Sequence, residues 1–357
     1  MMKTPSFAFK SILILLAATG YADSTEVEIT VQAQSDRLWT GVAISSGGRI
    51  CVCYPRWSMD NPVSLGEFVG DELVPLPDSA WNDWLPEEPY DSAFVCVQSI
   101  AFDAAGRLWV LDTGNPWMSG VLPGACRLLC FGAESTLPEL AYYFPDSILT
   151  QESYLNDFRL DIQSGNAYIT DSGAGALIVT NLYSGESRRL LDGHPACMSE
   201  GTPIEIDGAA WSFGGVLPEV HSDGIALTPA GDWLWWHALT GSTLYRIPTL
   251  ALVDDSLSEE DVESAIEEVC RTGPVDGMIF GADTTLYITL LNENAIGYLP
   301  AGQDSVMLLV SDTLLKWPDT FAIGTDGKEL WLSVSRIHEG GSPVHPYSLL
   351  RFSPLRE

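Results

Sequence analysis

Three carboxylates, two carboxamides and a hydroxyl recur at one place in a repeated phrase, where their chemistry would converge. Asp223, Asp276 and Asp319, with Gln98, Asn156 and Thr40, each open a short apolar run, followed by a turn and a second run. Oxygen-bearing side chains brought together from separate rigid strands suit a hard cation such as calcium, because no loop must be ordered to assemble them. Unpartnered carboxylates held together repel and shift one another's proton affinity, so a cation or a shared proton must relieve the set. Asp-Gly, Asn-Asp and Asp-Thr are equally turn formers whose side chains bond neighbouring amides, with water between them. Both readings stand at the level of sequence.

The phrase occurs six times, over 40–55, 98–114, 156–173, 223–239, 276–291 and 319–336. The anchors of the second runs, Cys51, Trp109, Tyr168, Trp235, Tyr287 and Trp331, lie 58, 59, 67, 52 and 44 residues apart. That period fits one four-stranded blade per copy, so the chain reads as an all-β, six-bladed β-propeller forming one domain over 23–357. The first strand of each blade lines the central channel of such a fold. Thr40, Gln98, Asn156, Asp223, Asp276 and Asp319 therefore meet around one axis as a ligand-facing ring. His221, two residues before Asp223, is expected at the same mouth. Asn156, Asp223 and Asp276 are the candidate metal ligands, and Asp223 and Asp276 the candidate groups for moving a proton.

The remaining elements must hold that ring. Glu26–Val31 alternates with period two and suits a strand completing the last blade beside Tyr347–Ser353. Blade one has a cysteine anchor, and its outer strands are sought in Pro62–Phe68. One short rim helix is predicted over Ser258–Arg271, where Ser258 and Asp261 make a capping box and Val262, Ala265, Ile266 and Val269 share a face. The acidic, Trp-rich stretch Asp71–Asp91 reads as a loop covering one channel mouth. His237 is expected to pack behind Trp235 and Trp236.

Residues 1–22 place Lys3 and Lys10 before an apolar run and end in Gly20-Tyr21-Ala22, the pattern of a cleavable secretory signal. The reading is an exported, secreted or periplasmic protein. The formal charge of −31 becomes −33 once Lys3 and Lys10 are removed, a field that disfavours nucleic acid and anionic membrane partners and favours cations. In that compartment, one or two disulfides are expected among Cys96, Cys126, Cys130, Cys197 and Cys270, the other cysteines being buried hydrophobes. No GxSxG elbow, HExxH, phosphate loop or dinucleotide fingerprint is present.

The stretches VQSIAFDAAGRLWVLDTG (97–114), NDFRLDIQSGNAYITDSGAGALIVTNLYSGESRRLL (156–191), DGIALTPAGDWLWWHALTGSTLYRIPT (223–249) and WPDTFAIGTDGKELWLS (317–333) resemble the Yellow and major royal jelly protein family. Gly41–Ile44 and Tyr54–Trp57 are similar to its first blade. The resemblance implies a secreted six-bladed propeller, with insect members linked to dopachrome-like chemistry, nutrition, or capture of small amines and sterols. A more distant similarity, to calcium-dependent gluconolactonase, regucalcin and paraoxonase-like propellers, implies a metal held by a first-blade Glu and later Asn or Asp. Asn156, Asp223 and Asp276 match the later positions, Thr40 stands where the Glu belongs, and Asp223 replaces an Asn. Two functions follow as expectations. The first is capture of a small cationic or aromatic molecule at the acidic mouth; the second is a calcium-dependent lactone or ester hydrolase, with a dopachrome-type isomerase as a third option.

Overall fold

In the computed structural model, which describes residues 27–354 apart from 60, 62 and 341–343, six antiparallel four-stranded sheets form a β-propeller. The secretory-signal reading falls on residues outside those described. The inner strands of blades one to six are Gly41–Ile44, Val97–Phe102, Leu155–Asp161, Ser222–Leu227, Met278–Phe280 and Pro318–Ile323. Their partners carry the anchors of the repeat, aromatic in every blade but the first. Large apolar side chains fill the seams between neighbouring sheets: Trp109, Phe144, Leu155, Phe158 and Ile178 lie buried between blades two and three. The core is thus divided among the blade interfaces.

Ring closure uses the N-terminal strand, as the alternation of its residues predicts. It spans Ile29–Ser35 and pairs antiparallel with Tyr347–Phe352, from Ile29 opposite Phe352 to Ser35 opposite Tyr347. Blade one finds its third strand in Leu65–Val69, within the segment expected but for its last residue, and its outermost strand in Glu72–Pro75, beyond that segment.

Four expectations need correction. The capping box of Ser258 and Asp261 forms, but the helix ends at Ser264, because Glu267–Arg271 is taken as the outer strand of blade four. There Glu267 pairs across the sheet with Arg246, so a ladder and an ion pair outweigh one more helical turn. Two further short helices, Ser79–Asn82 and Thr249–Val253, accompany it. The 71–91 stretch is not simply a loop: it holds the outer strand Glu72–Pro75 and a short helix, and its Trp81 packs on Phe94 and Phe131 in the seam of blades one and two. All seven cysteines are free. Cys126 and Cys130 share one seam and Cys51 and Cys53 another, while Cys197 packs with Trp236 and Cys270 beside Val275, as small side chains among apolar neighbours.

Asp223-Gly224 and Asp276-Gly277 look like turn formers but lie in the inner strands or at their start, and both glycines have another reason to be there. A Cβ on Gly277 would stand 1.7 Å from the backbone oxygen of Asp319, and one on Gly224 would stand 2.3 Å from that of Asp276. Neighbouring inner strands therefore touch backbone to backbone at the ring. Substituting Gly277→Ala should lower stability by about 1–3 kcal/mol or prevent folding, whereas Gly47→Ala, whose Cβ would meet only Ser45 Oγ at 3.7 Å, should be nearly neutral. Paired thermal melts check this, and equal melting temperatures would refute it.

Candidate functional site

A β-bulge interrupts four of the inner strands at the position of the repeat's polar residue. The register shifts between Val97 and Ser99, Leu155 and Phe158, Ser222 and Ile225, and Pro318 and Phe321. A bulge lets two consecutive residues face one side, which a regular strand forbids. Three bulged strands present pairs to the channel, Gln98 with Ser99, Asn156 with Asp157 and Asp319 with Thr320; bulged blade four presents Asp223, and Asp276 with Gly277 come from just before the regular inner strand of blade five.

These residues line one opening of about 250 Å3 that is continuous with solvent and has room for about one water-sized body among them. Gln98, Asn156, Asp223, Asp276 and Asp319 come together there. Thr40 does not line it; its hydroxyl turns to the backbone oxygen of Gln98, 3.0 Å away, because blade one meets blade two at that point. His221 also stays off the cavity. Its Nδ1 accepts the Ser199 amide at 3.0 Å, and burial lowers its proton affinity. His237 is wholly buried between the Ala238 carbonyl and Thr272.

Asp157, Ser99 and Thr320 are cavity residues that the repeat alignment misses, since it assigns one channel-facing position per blade. The signal available was a polar doublet at the start of an otherwise apolar strand. A second missed set stands two residues before the ring position and reaches back to the preceding blade. Tyr154 donates to Gln98 Oε1 at 2.7 Å, and the indole of Trp317 donates to Asp276 Oδ2 at 2.8 Å. His221 holds the same place in blade four but is drawn off to Ser199.

Hydroxyls of the second strands lock this arrangement. Thr170 Oγ1 accepts the Asp157 amide and donates to the Asp223 carbonyl of the next blade at 2.7 Å. Ser333 Oγ repeats the pattern, accepting from Thr320 and donating to Thr40 O at 2.6 Å across the chain's closure. Thr289 Oγ1 receives the amides of Asp276 and Gly277, and the Cys53 thiol donates to Gln98 O.

Four carboxyl groups now share one cavity, and basic partners are scarce. Arg159 pairs with Asp157 at 2.9 Å, while among the described residues Asp223, Asp276 and Asp319 form no ion pair. Arg127 and Arg189 are committed to Asp112 and Asp171. Burial pushes the Asp276 carboxyl up to about 7, against the Trp317 N–H and with the Asp157 charge adding to the rise. Burial also holds Asp223 and Asp319 well above the carboxylate range. The Asp276 and Asp157 charges add to the rise at Asp223; those of Asp276 and Asp223 add to it at Asp319. The site is a concave acceptor surface that gains by taking up positive charge.

A calcium ion, which the fold's metal-dependent relatives imply, does not fit the side chains as they stand. Among the described residues no group of three or more His, Cys, Asp or Glu side chains is placed to hold a metal ion. The first-blade carboxylate is replaced by a hydroxyl facing away, and Asn156 Oδ1 already accepts the Gln98 amide at 2.8 Å.

Residues 95–352 match the family model described as Major royal jelly protein. The chain belongs to that family. Protein yellow of Drosophila melanogaster is 23% identical over 278 residues, covering 70% of this chain and 49% of the insect protein. The chain thus spans about half the length of the curated relatives it matches. Among solved structures, a gluconolactonase from Xanthomonas campestris has a TM-score of 0.54 at 11% identity, covering 93% of this chain and 91% of the other. Regucalcin from Agrobacterium tumefaciens, described as calcium-binding, has a TM-score of 0.54 at 12% identity, covering 92% and 96%. At these identities the likeness is one of fold.

Proton uptake by the ring has a measurable sign. A carboxyl whose affinity is raised by folding stabilises fully below its unfolded value of about 3.9 and loses that contribution as pH climbs through its folded value. For Asp276 the window closes near about 7. Asp276→Asn should melt near the parent at pH 4.5 and above it at pH 8, by an amount on the order of a few kcal/mol. A gap that stays constant with pH would contradict the assignment.

Proposed function

We propose that this is an exported royal-jelly-type propeller that captures a small organic cation at the acidic mouth of its channel. The observation carrying the reading is that Asp223, Asp276 and Asp319 face one cavity without a basic partner. Positive charge from a ligand would relieve their repulsion. The opening has room for a group about the size of water, which suits a primary ammonium head hydrogen-bonded to carboxylates. The rest of the ligand would lie outside the ring, towards Trp211, which packs edge-on to Trp317 at 4.8 Å, and towards Phe213 beyond it at 5.4 Å. An aromatic body would find favourable contacts there. Export is supported by the pattern of residues 1–22.

The alternative is a calcium-dependent lactone or ester hydrolase in which Asp223 or Asp276 moves the proton. Its support is the oxygen-rich ring itself. The misdirected Thr40 and the engaged Asn156 oxygen weigh against it, so cation capture is the stronger reading.

Phenethylammonium and methylammonium should each raise the melting temperature, saturating with concentration, while 2-phenylethanol and methanol should not. Asp223→Asn and Asp276→Asn should each weaken the shift by about tenfold or more in concentration. Failure of every ammonium probe to shift the melt would end this reading; loss of hydrolysis of a lactone panel on chelation would establish the other.

A further inference from the structure

One chain of hydrogen bonds at the site has a direction that chemistry alone dictates. It begins at the Trp57 indole, which can only donate, and its Nε1–H meets the Tyr154 hydroxyl oxygen at 2.7 Å. Tyr154 has one proton left to give, and gives it to Gln98 at 2.7 Å, so the Gln98 atom there is the amide oxygen. The Gln98 nitrogen then faces Asn156 at 2.8 Å, which makes the contacted Asn156 atom its oxygen. What remains of Asn156 is its NH2, bonded to Ser172 Oγ at 3.3 Å and to the Asp223 carboxylate. The donor-only indole at one end sets the direction in which both amides point, since the other contact of the Tyr154 oxygen, to Cys96 Sγ, is long at 3.8 Å.

The relay is rigid as well as directed. Tyr154 is buried, and its backbone amide is held by Asp171 Oδ1 at 2.8 Å, a carboxylate that also accepts from Ser153 and pairs with Arg189. Gln98 is buried too, 6% exposed.

We infer that Tyr154 decides which cation the ring accepts: by fixing Gln98, and through it Asn156, with the Asn156 nitrogen towards the carboxylates, it withdraws the neutral oxygen a bare divalent ion needs and leaves a site for a cation that brings its own N–H donors. Calcium takes about six to eight oxygens, among which amide carbonyls commonly complete the set that carboxylates begin. An ammonium needs only acceptors, and the three unpaired aspartates supply them. Tyr154 does not line the cavity, so it is a positioning residue. This inference rests on the capture of an organic cation proposed above for its ligand, but its effect on calcium is independent of that reading.

The test is titration calorimetry of calcium chloride and, separately, methylammonium chloride into the full chain and two charge-neutral variants, Tyr154→Phe and Gln98→Ala. Each variant breaks the relay and frees Asn156 to turn its oxygen inward. Both should gain calcium affinity by at least about tenfold over the parent, a selectivity change that mere loosening of the fold would not produce. Gln98→Glu, which adds charge, serves as the control: a gain there with none in either charge-neutral variant that folds would overturn the inference. A parent that already binds calcium as tightly as the variants would overturn it equally. Melting curves identify which variants fold, and one folded variant suffices. If the parent takes up no methylammonium while the variants still gain calcium, the capture reading fails and the role of Tyr154 stands.

Discussion

The short bond from a second-strand hydroxyl to the next blade's innermost carbonyl is the contact on which the rest of this molecule depends. Thr170 to Asp223 and Ser333 to Thr40 join blades three to four and six to one, and at the seams between, four to five and five to six, the inner strands approach so closely that only a glycine fits at positions 224 and 277. The same hydroxyls receive the amides freed by the bulges, so one group satisfies a buried donor and joins two sheets. Ser333 to Thr40 makes this bond between residues 293 apart in sequence, alongside the pairing of the first and last strands. A ring so tightly closed has fixed geometry at its narrow end. Side chains there are placed by backbone contacts, and no loop has to fold over them.

That rigidity has an electrostatic cost. Carboxyl groups from blades three to six cannot relax away from one another, and burial deprives three of them of water. The compensation visible around them comes mostly from neutral donors: the indole of Trp317, the amide of Asn156 and the hydroxyl of Thr320. Neutral donors lessen the penalty without cancelling charge, unlike the Arg127–Asp112 and Arg189–Asp171 pairs nearby. Basic residues are thus used mainly in the blade walls, and at the channel Arg159 is already taken by Asp157. A fold that could place arginine beside buried aspartates, and does so twice within the same sheets, leaves its innermost carboxyls to be neutralised from outside.

Much of this was legible in the sequence because the fold is periodic. Six recurrences of one phrase give the blade count, and the polar residue at the head of each gives five of the six positions that the channel presents or abuts as expected. Thr40 departs because a threonine hydroxyl is short enough to bond the adjacent backbone, an option the longer side chains lack. His221 departs because the 191–221 segment supplies Ser199 as a nearer partner. Asp157 was hidden by the alternation rule, which a bulge suspends. The helix ended early because Glu267–Arg271 is amphipathic only on paper; with Arg246 opposite Glu267, the edge of blade four offered those residues a ladder. The expected disulfides came from reasoning about compartment, whereas the positions of the thiols are set by packing.

Comparison of blades shows how one scaffold separates fold from chemistry. The residue two before the ring position reaches back to the preceding blade at Tyr154 and Trp317, and its identity varies around the ring: cysteine at 96, tyrosine at 154, histidine at 221, proline at 274, tryptophan at 317. The backbone at that point is fixed by the closure, so changing the side chain alters what the ring presents without altering the ring. Trp317 shows the extreme case. It is fully buried, adopts a left-handed φ of 59°, which a bulky side chain ordinarily avoids, and is stacked on His338 so that its N–H meets Asp276. Strain of that kind persists only where surrounding contacts over-determine it, and here they aim a single proton at a carboxylate. Relatives of the same fold can therefore differ in what they hold through a handful of side chains behind the ring, while the six sheets and their seams stay as they are.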